Sequence, residues 1–255
     1  MTRALIVIPA RFASTRLPGK PLLDKTGKPL IQHTIEAASQ VANADILVAT
    51  DDQRIADTVN AFGGNVAMTC PDHQSGTDRI AEAAKDLPAD IIVNVQGDEP
   101  EIDPDHIRLL IDTHARAVAS DRPAFASTLV CPFPAGANPA DPNSVKAVLA
   151  QPDASGVQSA LYFSRAQLPY PREEQVTPYL HIGVYAFSKD SLQIFPSLTR
   201  TPLEKTESLE QLRILEHGHR LAVAIVPHAA PGIDTQADYD AFVSRIEGQV
   251  SSPLA

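Results

Sequence analysis

"ALIVIPARFASTRLPGKPL", residues 4–22, decides how the rest of the chain is read. Residues 4–9 form an unbroken apolar run, not an alternation of apolar and polar positions. A run of that kind is a strand buried on both faces, as in a parallel sheet covered by helices. Pro18 and Gly19 make the following segment a loop, and within ten positions that loop carries Arg11, Arg16 and Lys20. Open α/β sheets take ligands at the carboxyl ends of their strands, so the position of the cations already suggests a site.

The alternation continues through the first half. Residues 29–41 have helical spacing, 45–50 read as a strand, and 52–62 as a helix ended by Gly63-Gly64. A short strand at 66–68 precedes a helix at 75–87, opened by a capping-box-like Ser75-x-x-Asp78. A strand at 90–95 leads to a helix at 104–118. The pattern predicts an α/β, doubly wound, Rossmann-like fold: a mostly parallel sheet with helices on both faces. The second half is less regular. Strands are expected at 124–130, 144–150, 181–187 and 220–226, and helices at 203–218 and 234–250, the last with Asp234 as N-cap. Residues 165–180 are Pro-rich and charged, like an extended arm or lid. There is no internal repeat and no long linker, so 1–255 is expected to be a single domain.

The composition narrows the function. The formal charge of −10 over 255 residues disfavours nucleic acid as a partner and makes a local basic cluster more informative. Cys70 and Cys131 lie far apart with no CxxC, which suits neither a disulfide framework nor a cysteine zinc site. No apolar run approaches the ~18 residues of a membrane span. The opening run meets Arg11 without a cleavage site, so the protein is expected in the cytoplasm.

Three cations in one loop repel each other unless an anion sits among them, and backbone N–H groups after a strand also bind anions. A Walker A loop is excluded: Ser14 stands where glycine is required, and Pro21 where Ser or Thr would hold magnesium. In "VNVQGDEP" (93–100), Gln96 and Asp98 fall at the edge of a buried strand. Asp98 could hold Mg²⁺ or could cap the turn into the next helix. In "GIDT" (232–235), Asp234 could form a metal pair with Asp98 or could be a helix N-cap alone. In "DHQSGTDR" (72–79), Gln74, Ser75, Gly76 and Thr77 open a helix with Arg79 on its first turn, which could read a nucleotide base or ribose or could simply be well capped. Arg165, His181, Tyr185, Glu210 and Gln211 are polar residues beside apolar elements, and a satisfied core histidine remains an open reading of His181.

Together "IPARFASTRLPGKPL", "DHQSGTDR", "NVQGDEP", "LYFSRAQLPY", "HIGVYAF", "LEKTESLEQLRILEHG" and "GIDT" closely resemble the 3-deoxy-manno-octulosonate cytidylyltransferases (CMP-KDO synthetases), in order from about residue 4 to 247. The resemblance implies transfer of CMP from CTP to KDO with release of pyrophosphate, for lipopolysaccharide synthesis. It implies Mg²⁺ and a cytoplasmic homodimer; the charge and the lack of a long apolar run already argue against nucleic acid and membrane as partners. It gives a nucleotide half at about 1–118 and a sugar-binding and dimerisation half at about 119–250. Residues matching Arg11 and Lys20 bind the triphosphate; Ser14, Arg16, Gln74, Ser75, Gly76, Arg79 and Gln96 are expected as further nucleotide-binding residues. Those matching Asp98 and Asp234 hold the metal, and those matching Gln96, Arg165, His181, Tyr185, Glu210 and Gln211 surround the sugar. The segment between Arg172 and Tyr179 is short for the family. Two alternatives remain: a cytidylyltransferase for 8-amino-KDO or a sialic acid, and a non-catalytic nucleotide-binding protein on the same fold.

Overall fold

The computed structural model describes residues 2–13, 16–73, 75–173 and 178–250. In chain order the elements are β1 (Ala4–Ala10), α1 (Leu30–Ala38), β2 (Ala44–Thr50), α2 (Gln53–Ala61), β3 (Val66–Met68), α3 (Gly76–Ala84), β4 (Ile91–Asn94), α4 (Pro104–Val118) and β5 (Ala126–Pro132). Then come β6 (Lys146–Leu149), β7 (Gln158–Ser164), β8 (Tyr179–Ser188), α5 (Lys189–Ile194), α6 (Pro202–Glu207), α7 (Gln211–Glu216), β9 (Leu221–Ile225) and α8 (Gln236–Val250). This is the doubly wound α/β fold expected from the opening strand. No described helix is long and apolar enough to cross a membrane.

The chain forms two compact units that interleave in sequence. The first comprises Leu5–Asp86, Asn94–Pro104 and Ala230–Ala255; the second comprises Met1–Ala4, Leu87–Val93 and Asp105–Ala229. In the first unit the strand order is β3-β2-β1, with β2 and β3 parallel. Its core includes Leu17, Leu30, Ile233, Tyr239, Phe242 and Val243. Helix α8, last in the chain, thus packs with the loop that follows the first strand. In the second unit the order is β4-β8-β5-β9-β7-β6. The sheet here is mixed: β5 runs parallel to β9 but antiparallel to β8, and β7 is antiparallel to both β6 and β9.

Three local expectations need correction. Strand β7 was not foreseen: "QSALYFS" contains no β-branched residue, and its place comes from pairing with β6 and β9. The helix expected over 203–218 is two helices, α6 and α7, separated by Ser208 in the left-handed region at φ 52°. The break brings Arg213 back to Glu204, with Nε and Nη2 donating to its buried carboxylate at 2.9 and 2.6 Å. In one straight helix those residues would be about 13 Å apart along the axis. The third correction is the cap of α8. Asp238 accepts the Thr235 N–H at 2.8 Å, and its own N–H donates to Thr235 Oγ1 at 3.2 Å. That reciprocal box makes Thr235 the N-cap and releases the Asp234 side chain from the role.

His114 on α4 is fully buried, with Nδ1 2.8 Å from Ser127 Oγ on β5, and burial holds its pKa down to about 4. An unfolded imidazole titrates near 6.5, so the unfolded chain takes up this proton first. Stability from this group is whole above about pH 6.5 and falls by ~1.4 kcal/mol per pH unit on descending toward 4. Urea midpoints at pH 7 and pH 5 should differ less in His114→Asn than in the unmodified protein. Equal differences would reject this account.

Candidate active site

The cleft of the first unit is built from the exits of β1 and β4 and the segment ahead of α8. Its volume is about 410 Å³, and Pro9, Arg11, Arg16, Lys20, Gln96 and Asp98 are among its walls, with Gly76 and Asp234. The loop after β1 closes on itself through Gly19 N–H to the Phe12 carbonyl, 3.0 Å. Gly19 has φ +69° and a Cβ there would lie 3.2 Å from the Phe12 ring, so glycine is required at this corner. The Arg54 guanidinium covers that ring at 3.3 Å and helps fix the loop.

Lys20 occupies the centre. Its ammonium is 2.6 Å from Asp98 Oδ2, 2.7 Å from the Ile233 carbonyl oxygen and 3.6 Å from Asp234 Oδ1. Arg16 Nη2 bonds Asp234 Oδ1 at 2.9 Å, with both side chains exposed. Asp98 and Asp234 therefore converge on one ammonium, the pair the sequence suggested but could not bring together. The backbone enforces the meeting: Ile233 N–H donates to the Asp98 carbonyl at 3.0 Å, and the Ile233 side chain is buried. Gly97 allows the β4 exit to pass close, because a Cβ there would stand 3.2 Å from the Pro9 carbonyl oxygen.

Arg11 Nη2 donates to the carbonyls of His73 at 2.7 Å and Ser75 at 3.3 Å, tying the loop to the start of α3. Ser75 caps that helix through Oγ to Asp78 N–H, 3.1 Å, and Gly76 begins it at the cleft wall. A helix start facing cations is a place for an anion. Gln96 also reaches the cleft, its amide held by Asn94 Oδ1 at 3.1 Å. Arg79 is placed differently from the sequence expectation. It is fully buried, donates to Thr69 Oγ1 at 2.5 Å and pairs with Asp51 at 3.1 Å, so it binds the β2 and β3 exits to α3. Ser14 and Gln74 lie outside the described residues. Glu99, next to Asp98, is a functional candidate that the motifs alone do not single out. Burial, with the charge of Asp98 adding to it, pushes its carboxyl up to about 8. The adjacent acids in "DEP" were the signal.

In the second unit, His181 and Tyr185 lie on β8 with ring centroids 5.6 Å apart, and Gln211 at the start of α7 places Nε2 3.5 Å from His181 Nδ1. Glu210 directly precedes Gln211. Thr128 was not foreseen. Its Oγ1 is 3.0 Å from His181 Nε2 and 2.9 Å from the Val184 carbonyl. A carbonyl only accepts, so the single hydroxyl proton goes to it. The hydroxyl then accepts from His181 Nε2–H, leaving Nδ1 as the acceptor. Burial holds His181 down to about 3, which keeps it neutral. Arg165 is anchored to carbonyls: Nε to Glu207 at 2.7 Å, Nη1 to Pro142 at 2.9 Å and Nη2 to Ser208 at 3.4 Å.

The chain matches the cytidylyltransferase family over residues 5–221. It is 46% identical over 239 residues to 3-deoxy-manno-octulosonate cytidylyltransferase of Escherichia coli, covering 93% of each chain. The enzyme of that name from Vibrio cholerae is 46% identical over 253 residues, 94% of this chain and 96% of that one. Among solved structures, CMP:2-keto-3-deoxy-manno-octonic acid synthetase complexed with CTP superposes with a TM-score of 0.88 at 42% identity, covering 97% of this chain and 100% of that one. The inositol-1-phosphate CTP transferase of T. maritima, 14% identical with a TM-score of 0.62, covers 100% of this chain and 98% of its own; it shares the fold alone.

Two measurements check this geometry. Lys20→Met should weaken nucleoside triphosphate binding roughly tenfold to a hundredfold in calorimetry at fixed salt, the range for a lost charge-assisted hydrogen bond; an unchanged affinity would refute the phosphate-loop reading. The ring ¹⁵N shifts of His181 should report the Nε2–H tautomer with no titration between about pH 5 and 8; a titrating ring would contradict the hydrogen-bond assignment.

Proposed function

The chain belongs to the cytidylyltransferase family, and from that premise we propose that it transfers the CMP group of CTP to the anomeric hydroxyl of KDO, releasing pyrophosphate. The activated sugar is a precursor of lipopolysaccharide. The observation that carries the reading is the cleft in which Arg11, Arg16 and Lys20 face Asp98 and Asp234.

CTP brings close to four negative charges and KDO a carboxylate, so two anions must be joined. The hydroxyl oxygen forms a bond to the α-phosphorus, the bond to the bridging oxygen breaks, and pyrophosphate leaves with the electron pair. The hydroxyl proton passes to solvent. Arg11, Arg16 and Lys20 stabilise the charge that grows on the leaving group. Arginine suits forked phosphate contacts, and lysine acts as a compact charge. No protein nucleophile is required. Ser75 and Gly76, at the start of α3, are positioned to receive the nucleotide beside the loop cations.

Asp98 and Asp234 fit a Mg²⁺ ion: both offer hard carboxylate oxygens, and they already gather around one cationic nitrogen. When bound there, Mg²⁺ would lower the pKa of the sugar hydroxyl and offset α-phosphate charge. The carboxylates would then no longer hold Lys20 and Arg16, leaving both for phosphate. For the acceptor, neutral His181, Tyr185, Glu210 and Gln211 form a hydrogen-bonding set suited to sugar hydroxyls. Arg165 supports the set through the carbonyls it anchors. A homodimer is part of the same reading. The two free cysteines suit the reducing cytoplasm proposed for the enzyme.

Purified protein with CTP, Mg²⁺ and KDO should release pyrophosphate, with little release when KDO is omitted or replaced by a sialic acid or 8-amino-KDO. Equal or faster release with another sugar would reassign the acceptor. CTP binding without turnover on any of the three would favour a non-catalytic role. Asp98→Asn and Asp234→Asn should each lower turnover roughly 10²-fold or more while the fold persists, as for removal of a key transition-state electrostatic group. Unchanged turnover at saturating Mg²⁺ would reject the metal role.

A further inference from the structure

Resting on the acceptor reading above, we propose that Gly183 is a specificity-determining residue: its missing side chain is the recess in which the sugar acid lies against β8. The burial along β8 alternates. Ile182, Val184 and Ala186 enter the core, while His181, Gly183 and Tyr185 are half-buried and turn to the other face. Gly183 thus sits between the two rings of the acceptor set. In an extended strand residues four apart are about 13 Å from one another, yet the His181 and Tyr185 ring centroids are 5.6 Å apart. The strand is bulged at this point: Thr128 on β5 faces Tyr185 and the next residue, Leu129, faces Ile182, leaving Gly183 and Val184 outside the paired register. Bulges beside binding sites re-aim side chains, and this one leans the two rings together around Gly183.

The fold itself gives no reason for glycine there. Gly183 is not among the residues with positive φ, so its backbone suits any L residue. A Cβ at Gly183 would meet no heavy atom within 4 Å. Gly19 and Gly97 are different: a left-handed backbone demands the first, and a carbonyl at 3.2 Å confines the second. Glycine inside a strand weakens it and often marks a place where a ligand approaches the backbone closely. Gly183 carries that cost without any visible return inside the folded chain. On the same face of the strand the position is flanked by His181, whose hydrogen-bonding state is fixed by Thr128, and by Tyr185, whose ring can cover an apolar sugar face. The recess therefore sets how closely the acceptor ring approaches the strand, independently of the phosphate loop.

Gly183→Ala isolates the volume, because the added methyl group meets open space and the backbone accepts it. Full-length Gly183→Ala, assayed for pyrophosphate release, should keep or slightly raise its Tm and leave KM for CTP unchanged. Its KM for KDO should rise roughly tenfold or more, in line with one extra methyl group in a filled site. Gly183→Val should raise it further. An unaltered KM for KDO in an active Gly183→Ala enzyme would overturn the recess while leaving the proposed reaction standing. A lowered Tm would also overturn it, since the space would then not be open. Unmodified protein that does not turn over KDO would overturn the acceptor reading and this inference with it.

Discussion

One ammonium group holds the nucleotide side of this protein in register. Lys20 Nζ bonds a side chain 78 positions away and a backbone carbonyl 213 positions away, and a second carboxylate stands just beyond bonding distance. Without a cation at that point, Asp98 and Asp234 would face each other with like charge near a backbone carbonyl. With it, three distant segments share one centre. The supporting structure follows from that constraint. Ile233 is buried and its N–H is bonded to the Asp98 carbonyl, so Asp234 is delivered by a rigid residue rather than by a loose turn. Thr235 and Asp238 cap α8 between themselves, so the helix does not compete for the Asp234 carboxylate.

The same centre explains how three cations share one cleft without driving it apart. Three cations and two carboxylates nearly balance, so the loop does not repel itself while no anion is present. The partners are exchangeable, however. A carboxylate can trade an ammonium for a divalent cation, and an ammonium can trade a carboxylate for a phosphate. Entry of a polyphosphate or a divalent cation would then amount to a re-pairing of charges already in place, with little reorganisation of the backbone around them.

The first unit was legible because its physics is local. An apolar run into a cationic loop and a serine at the start of α3 each declare their geometry within a few residues. The second unit depends on distant partners. Strand β7 has a weak sequence of its own and is defined by β6 and β9. The break at Ser208 carries neither proline nor glycine; it is set by the pull of Arg213 on Glu204, which no window of sequence displays. Arg79 reads as a nucleotide ligand because it stands one turn into a cleft-facing helix, but Asp51 and Thr69 draw it inside. Asp234 reads as an N-cap until Thr235, the next residue, is seen to do that work. Thr128 sits in an apolar strand, and only the bulge against β8 makes its hydroxyl the group that decides which nitrogen of His181 accepts.

Cations serve two opposite ends in this chain, and the partner separates them. Lys146 is fully buried, its ammonium held by the carbonyls of Asp141, Ser144 and Arg165 at 2.9, 2.6 and 2.5 Å, and burial lowers its pKa. Arg165 is likewise spent on carbonyls. A carbonyl buried without its donor has no substitute partner, so drawing such a cation away leaves an unsatisfied group behind and costs free energy. Lys146 is fixed in this way, and it ties the segment at 141–144 to Arg165. Lys20 and Arg16 reach carboxylates at an open cleft, where water, a metal ion or a substrate can take over either side of the pair. The acidic surface sharpens the distinction: in a chain of net charge −10, an anionic ligand is favoured only where cations are left exchangeable. Residue type alone cannot separate a structural arginine from a binding one. The decisive property is whether the cation is buried together with its partner oxygens, as Lys146 is, or meets them at an open cleft, as Arg11, Arg16 and Lys20 do.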